Sequence, residues 1–156
     1  MRLSRKTGLD LLAVVVLGGI VFSGYRYSQN PSDAGSPEVI RMSHACDLQR
    51  AACRVNLPLG GEATLAFSGV PVRPLQPFSV ETRLPADVDR VTLELTGAEM
   101  DMGLQRIELQ PHGDGRHTGQ ATLPVCVTGQ MRWQATLQFT QAGRVHAVVA
   151  TFMSER

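Results

Sequence analysis

No stretch of this chain carries a block of one charge. Lysine and arginine number 15 against 14 aspartates and glutamates, for a formal net charge of +1. A nucleic-acid binder would show a basic face or stripe, so no nucleic-acid partner is expected. Like-charge runs that serve as interaction tails are missing as well. The motifs of common catalysts are also absent: there is no Gly-x-Ser-x-Gly, no His-Glu-x-x-His, no phosphate-cradling glycine loop and no Cys-x-x-Cys. Cys126 with one of the histidines could supply a nucleophile pair, but no orienting group stands at a recognisable spacing. The expectation is a non-enzyme. After the first residues the chain also lacks a convincing amphipathic helix, an internal repeat or a low-complexity tract.

What the chain does have begins at its N-terminus. Arg2, Arg5 and Lys6 precede an almost purely apolar run from Leu11 to Phe22. Positive charge ahead of such a run keeps the N-terminus cytoplasmic and sends the downstream chain across the membrane. The strictly apolar part is short for a span of about 20 residues. Thr7 to Tyr27 reaches that length if Asp10 and Arg26 sit at the interfaces, where Tyr25 and Tyr27 suit an aromatic belt. No Ala-x-Ala-like cleavage site comes after it, Val21-Phe22-Ser23 being the nearest weak match, and no lipoprotein cysteine stands after the run. Residues 1–27 are therefore expected to form an uncleaved membrane anchor, with a signal peptide as the alternative. Either way the rest of the chain belongs outside the cytoplasm.

In such an oxidising compartment disulfides persist. Cys46 and Cys53 in HACDLQRAAC are the simplest pair, leaving Cys126 as the odd thiol. Other pairings remain open.

Residues 28–41, SQNPSDAGSPEVIR, read as a flexible linker, and residues 42–156 as one domain. Apolar residues recur there with the period of two that marks half-buried strands. Ala63, Leu65 and Phe67 form one such series, Phe78 to Leu84 a second, and Val91, Leu93 and Leu95 a third. Ile107 with Leu109, and Ala121 with Leu123, come next. Met131, Trp133, Ala135, Leu137 and Phe139 oppose Arg132, Gln134, Thr136 and Gln138. A last strand, 144–153, is apolar on both faces, and Cys53, Val55 and Leu57 add a short leading strand. Turn signals at LGGE, HGDG and QAG separate these runs. The fold class expected is all-β, an Ig-like antiparallel sandwich of seven or eight strands behind one transmembrane helix. Helix is otherwise expected only around 44–52. PVRPLQPF reads as a stiff connector to the second sheet rather than as a peptide-recognition segment.

The segment GAEMDMG, 97–103, breaks the phase of its neighbours: Met100 and Met102 are even where the flanking core residues are odd. If extended, both thioethers emerge on one side. Loops at one end of a sandwich cluster, so Cys126 and Met131 could approach them. Thiolate and thioether together suit Cu(I) rather than calcium, magnesium or manganese. Methionine is equally a gap-filler beside aromatics, and Met131, in phase with Trp133, fits the core better than a ligand set. His112 and His117 bracket HGDGR, where exposed histidine needs no metal to explain it.

The anchor, the Met-Asp-Met-Gly followed by Arg106, the Leu-Pro-x-Cys ending at Cys126 and the Met-x-Trp at Met131 together resemble a group of small membrane-anchored proteobacterial proteins of poorly characterised function. More distantly, the chain is similar to FixH and YtkA-like proteins. That resemblance implies a single-pass inner-membrane protein with a periplasmic Ig-like domain. It also implies a role in assembling a respiratory oxidase or another copper centre, beside an oxidase or copper-chaperone partner. Under it Met100, Met102, Cys126 and Met131 are the candidate Cu(I) ligands. The competing expectation is a metal-free interaction module whose loops dock a membrane or periplasmic partner.

Overall fold

The computed structural model describes residues 36–43, 46–125 and 130–154, together with Gly19. The chain divides into two units, Met1–Ala34 and Gly35–Arg156. The anchor of 1–27 apart from Gly19 and most of the linker, as well as His44 and Cys126, lie outside the described residues. Among the described residues no helix is long and apolar enough to cross a membrane.

Among the described residues ten strands build the second unit: β1 (Glu38–Arg41), β2 (Cys53–Asn56), β3 (Glu62–Ser68), β4 (Pro77–Arg83), β5 (Val88–Gly97), β6 (Gln105–Glu108), β7 (Gln110–Pro111), β8 (Arg116–Thr122), β9 (Met131–Gln141) and β10 (Arg144–Ser154). They form two sheets of five strands, ordered β1-β10-β9-β5-β6 and β2-β3-β4-β8-β7. The expected alternation is what turns the sheets' apolar faces toward each other. Leu65 and Val80 of one sheet, and Leu93, Trp133 and Leu137 of the other, belong to a single buried cluster. Phe67 of β3 meets Phe152 of β10 edge-on, with ring centroids 5.1 Å apart. The fold is all-β and sandwich-like. Thr82, a polar residue at an inward position, is fully buried because its hydroxyl donates to the Thr64 carbonyl at 2.6 Å.

Several expectations need correction. The strand count rises from seven or eight to ten, and the pairing is not wholly antiparallel, because β1 runs parallel to β10 from Glu38↔His146 to Arg41↔Val149. Pairing thus starts at Glu38, inside the segment read as linker; the polar and proline-containing flank of EVIR hid a strand set by its partner rather than by its own pattern. The series at Ile107 and Leu109 is two strands, not one. At the buried Leu109, whose N–H donates to the Val91 carbonyl, the chain passes from β6 at the edge of one sheet to β7 at the edge of the other. Gly119 of β8 makes room for this passage, since a side chain there would press on Leu109 and Ile107. Finally, the PVRPLQPF segment joins β3 to β4, neighbours in one sheet, instead of crossing to the second. Residues 46–52 form a turn held by Arg50 and Ala51 N–H bonds to the Asp47 carbonyl, not a helix.

The β9–β10 hairpin closes on Ala142-Gly143, both with positive φ (49° and 75°), as a two-residue turn matching strand twist requires. β5 carries a bulge between Asp89 and Thr92, with Arg90 at φ 50°.

Candidate functional site

The registers fix which loops share an end. Ser68 pairs with Ser79, Pro77 with Thr122, Gly97 with Trp133 and Met131 with Ser154. The segments 46–52, 69–76, 98–104 and 123–125 and the end of β10 therefore meet at one rim. The turns at 57–61, 84–87, 112–115 and 142–143 occupy the other.

GAEMDMG lies at the first rim, but not as an extended segment. Gly97 begins a tight turn in which a side-chain carbon would collide with the Met100 carbonyl oxygen. Asp101 then accepts the Gly103 N–H through Oδ1 at 2.8 Å, a side-chain turn that ends the segment. The two thioethers consequently part company. Met100 is 40% exposed, while Met102 is half-buried against the core. Met131 is fully buried. Its methyl would stand 2.6 Å from a side-chain carbon at position 97, and Met102 Cγ 3.3 Å from the same point, so these two side chains converge over Gly97. The same convergence gives Met131 and Met102 a packing role, with Met131 a core residue as its phase with Trp133 predicts.

Cys126 falls outside the described residues, so its approach to the methionines is not visible. The histidines of the HGDGR turn do not form a pair. His112 is exposed with Nε2 2.6 Å from Thr118 Oγ1, and His117 is buried with Nδ1 3.2 Å from the Gly115 carbonyl. Among the described residues no three His, Cys, Asp or Glu side chains gather as a metal site.

No family model, curated protein or solved structure matches the chain. The comparisons therefore add no link to the FixH or YtkA-like families, and the site rests on its own geometry.

That geometry has two further parts. The expected disulfide is present: Cys46 and Cys53 are joined, with Cα atoms 5.6 Å apart, within the usual range. It closes the loop 46–53, which Leu48 pins by burying its side chain in the core. Gln49 extends from this loop in two directions. Its Nε2 donates to the Met153 carbonyl, and its Oε1 accepts the Val72 N–H at 2.9 Å. One amide thus ties the disulfide loop to the end of β10 and to the β3–β4 connection.

The second part is apolar. Of the large hydrophobic side chains left exposed among the described residues, Val70, Leu75, Met100, Leu104, Val125 and Met153 all lie at the first rim. Leu59 is at the other end and Val39 on β1. Sequence reading missed Gln49 and the exposed rim leucines and valines. A strand pattern marks which residues point inward, but says nothing of which loop residues are left outward at one end.

Proposed function

We propose that this chain is a membrane-anchored accessory protein, exposed on the far side of the membrane, whose Ig-like domain docks a partner protein through the first rim. The observation that carries this reading is the gathering of Val70, Leu75, Met100, Leu104, Val125 and Met153 at one end of the sandwich. Singly scattered surface apolar residues need no explanation, whereas their concentration marks interaction sites. The Ig-like assignment is supported by two stacked sheets whose loops collect at the two ends, and the anchor by the charge and apolarity of residues 1–27. A photo-crosslinking amino acid placed at Leu75, Met100 or Val125 of the full chain in its native host is expected to yield one discrete protein adduct. The same probe at Leu59, comparably exposed at the opposite end, should yield none. Equal adducts from Leu59, or no adduct from any rim position, would sink the reading.

A second reading takes the thioethers that converge over Gly97, Met102 and Met131, as ligands rather than as packing alone. In it the rim holds Cu(I) through Met100, Met102 and Cys126, with Met131 behind them, and serves assembly of a respiratory oxidase or another copper centre. Titration of fragment 28–156 with Cu(I) against a competing chelator tests it, under reducing conditions mild enough to preserve the disulfide. The reading expects one-to-one binding, lost in both Met100→Leu/Met102→Leu and Cys126→Ser. A folded fragment that leaves all the copper on the chelator removes the metal and leaves the methionines as docking surface.

A further inference from the structure

β1 accompanies β10 only part of the way. Their pairing ends at Arg41↔Val149, with one more bond from the Met42 N–H to the Val149 carbonyl, and the chain then turns off into the disulfide loop. Among the described residues Thr151–Met153 therefore has β9 on one side and no strand on the other. A groove of about 610 Å³ lies along this stretch, between the disulfide loop, Val70-Pro71 and the outward side of β9. That is the size range of ligand sites. At its β10 wall the Met153 carbonyl accepts from the side-chain amide of Gln49, where a neighbouring strand's N–H would otherwise serve.

The charges along the groove do not cancel. Asp47 is its one carboxylate, and both oxygens are engaged within the loop: Oδ1 accepts the Gln49 N–H at 3.0 Å, and Oδ2 lies 3.2 Å from Arg50 Nε. Arg132, directly across from Met153 in the β9–β10 register, has no ion-pair partner among the described residues. Arg132 lines the groove together with the exposed Met153 and Val70. Arginine presents a planar fork of donors matched to a carboxylate. The walls are fixed in advance by the disulfide, the buried Leu48 and the two bonds of Gln49, which lowers the ordering cost of binding.

We propose that this groove takes an extended, acidic peptide segment of a partner protein, laid along the strandless side of Thr151–Met153 with a carboxylate against Arg132 and a neighbouring apolar side chain against Val70 and Met153. Main-chain bonding to a sheet edge supplies affinity in such complexes, and pockets for alternate side chains supply specificity. The inference rests on the reading of the first rim as a docking surface and names the chemistry of the segment that docks there.

The test is selection of a displayed random peptide library against the full-length protein in nanodiscs. The recovered peptides should be rich in aspartate or glutamate beside apolar residues. Their binding, read by fluorescence anisotropy, should weaken at least about tenfold in Arg132→Glu and in Val70→Asp. It should be unchanged in Leu59→Ser, with each variant's near-ultraviolet signal from Trp133 showing an intact core. Recovery of no binders, of peptides without acidic enrichment, or of peptides held equally well by Arg132→Glu overturns the proposal. Crosslinked adducts at Leu75, Met100 or Val125 that persist in Arg132→Glu would also overturn it, while leaving the docking rim standing. Loss of those adducts in the wild-type chain is instead the failure of the rim itself.

Discussion

Truncating Trp133 to alanine is expected to cost about 3–5 kcal/mol of folding stability, the range for removing a buried aromatic side chain. Trp133 is 1% exposed near the start of β9, in the cluster that joins both sheets. Its Nε1 donates to Ser154 Oγ at 3.3 Å, and that hydroxyl donates in turn to the Met131 carbonyl at 3.4 Å. The substitution therefore leaves a cavity and also strips a buried hydroxyl of one partner. Urea unfolding followed by far-ultraviolet circular dichroism measures the loss, since the single tryptophan can no longer report it. Met100→Ala, at a 40% exposed position, is the contrast and should stay within about 0.5 kcal/mol of wild type. A Trp133 variant as stable as that control would mean that the two sheets do not share one core.

The second large effect is expected at Gly115. Its φ is +71°, and a side-chain carbon there would collide with the Leu84 carbonyl oxygen, next to the bond by which Leu84 N–H donates to the Gly115 carbonyl. Gly115→Ala thus combines left-handed strain, about 1–3 kcal/mol in itself, with displacement of a backbone that cannot rotate away. Gly113 sits in the same turn at φ +80° with nothing near its would-be side chain. Gly113→Ala should show the strain alone. The gap between the two midpoints in parallel thermal melts then measures the collision, and equal midpoints would remove it.

Much of this architecture was legible because burial on one face enforces a period of two. The inward series of β3, β4, β5 and β9 could be read directly, as Ala63-Leu65-Phe67 and Met131 to Phe139 show. β1 was not legible. Four residues carry too little pattern, and Glu38–Arg41 is a strand because β10 offers it a parallel ladder. The same limit hid the change of sheet at Leu109, where the alternation continues while the hydrogen-bonding partner changes. At GAEMDMG parity correctly marked a break. It could not show that Gly97 and Asp101 curl the chain, and so place Met100 outward and Met102 inward. Arg132 is visible in the sequence only as an outward residue beside Trp133. Its lack of an ion-pair partner depends on which distant side chains the fold brings beside it, which no local pattern encodes.

The chain enters the sandwich at Glu38, paired with His146 near the β9–β10 hairpin, at the end opposite the groove and the exposed methionines. A pull arriving from the N-terminal side and one applied by a protein held at the first rim would thus act on opposite ends of β1. The four residue pairs joining it to β10 lie along that line of force. They would slide as a set rather than peel one by one, so the short strand that looked like the end of a linker is also the molecule's shear joint.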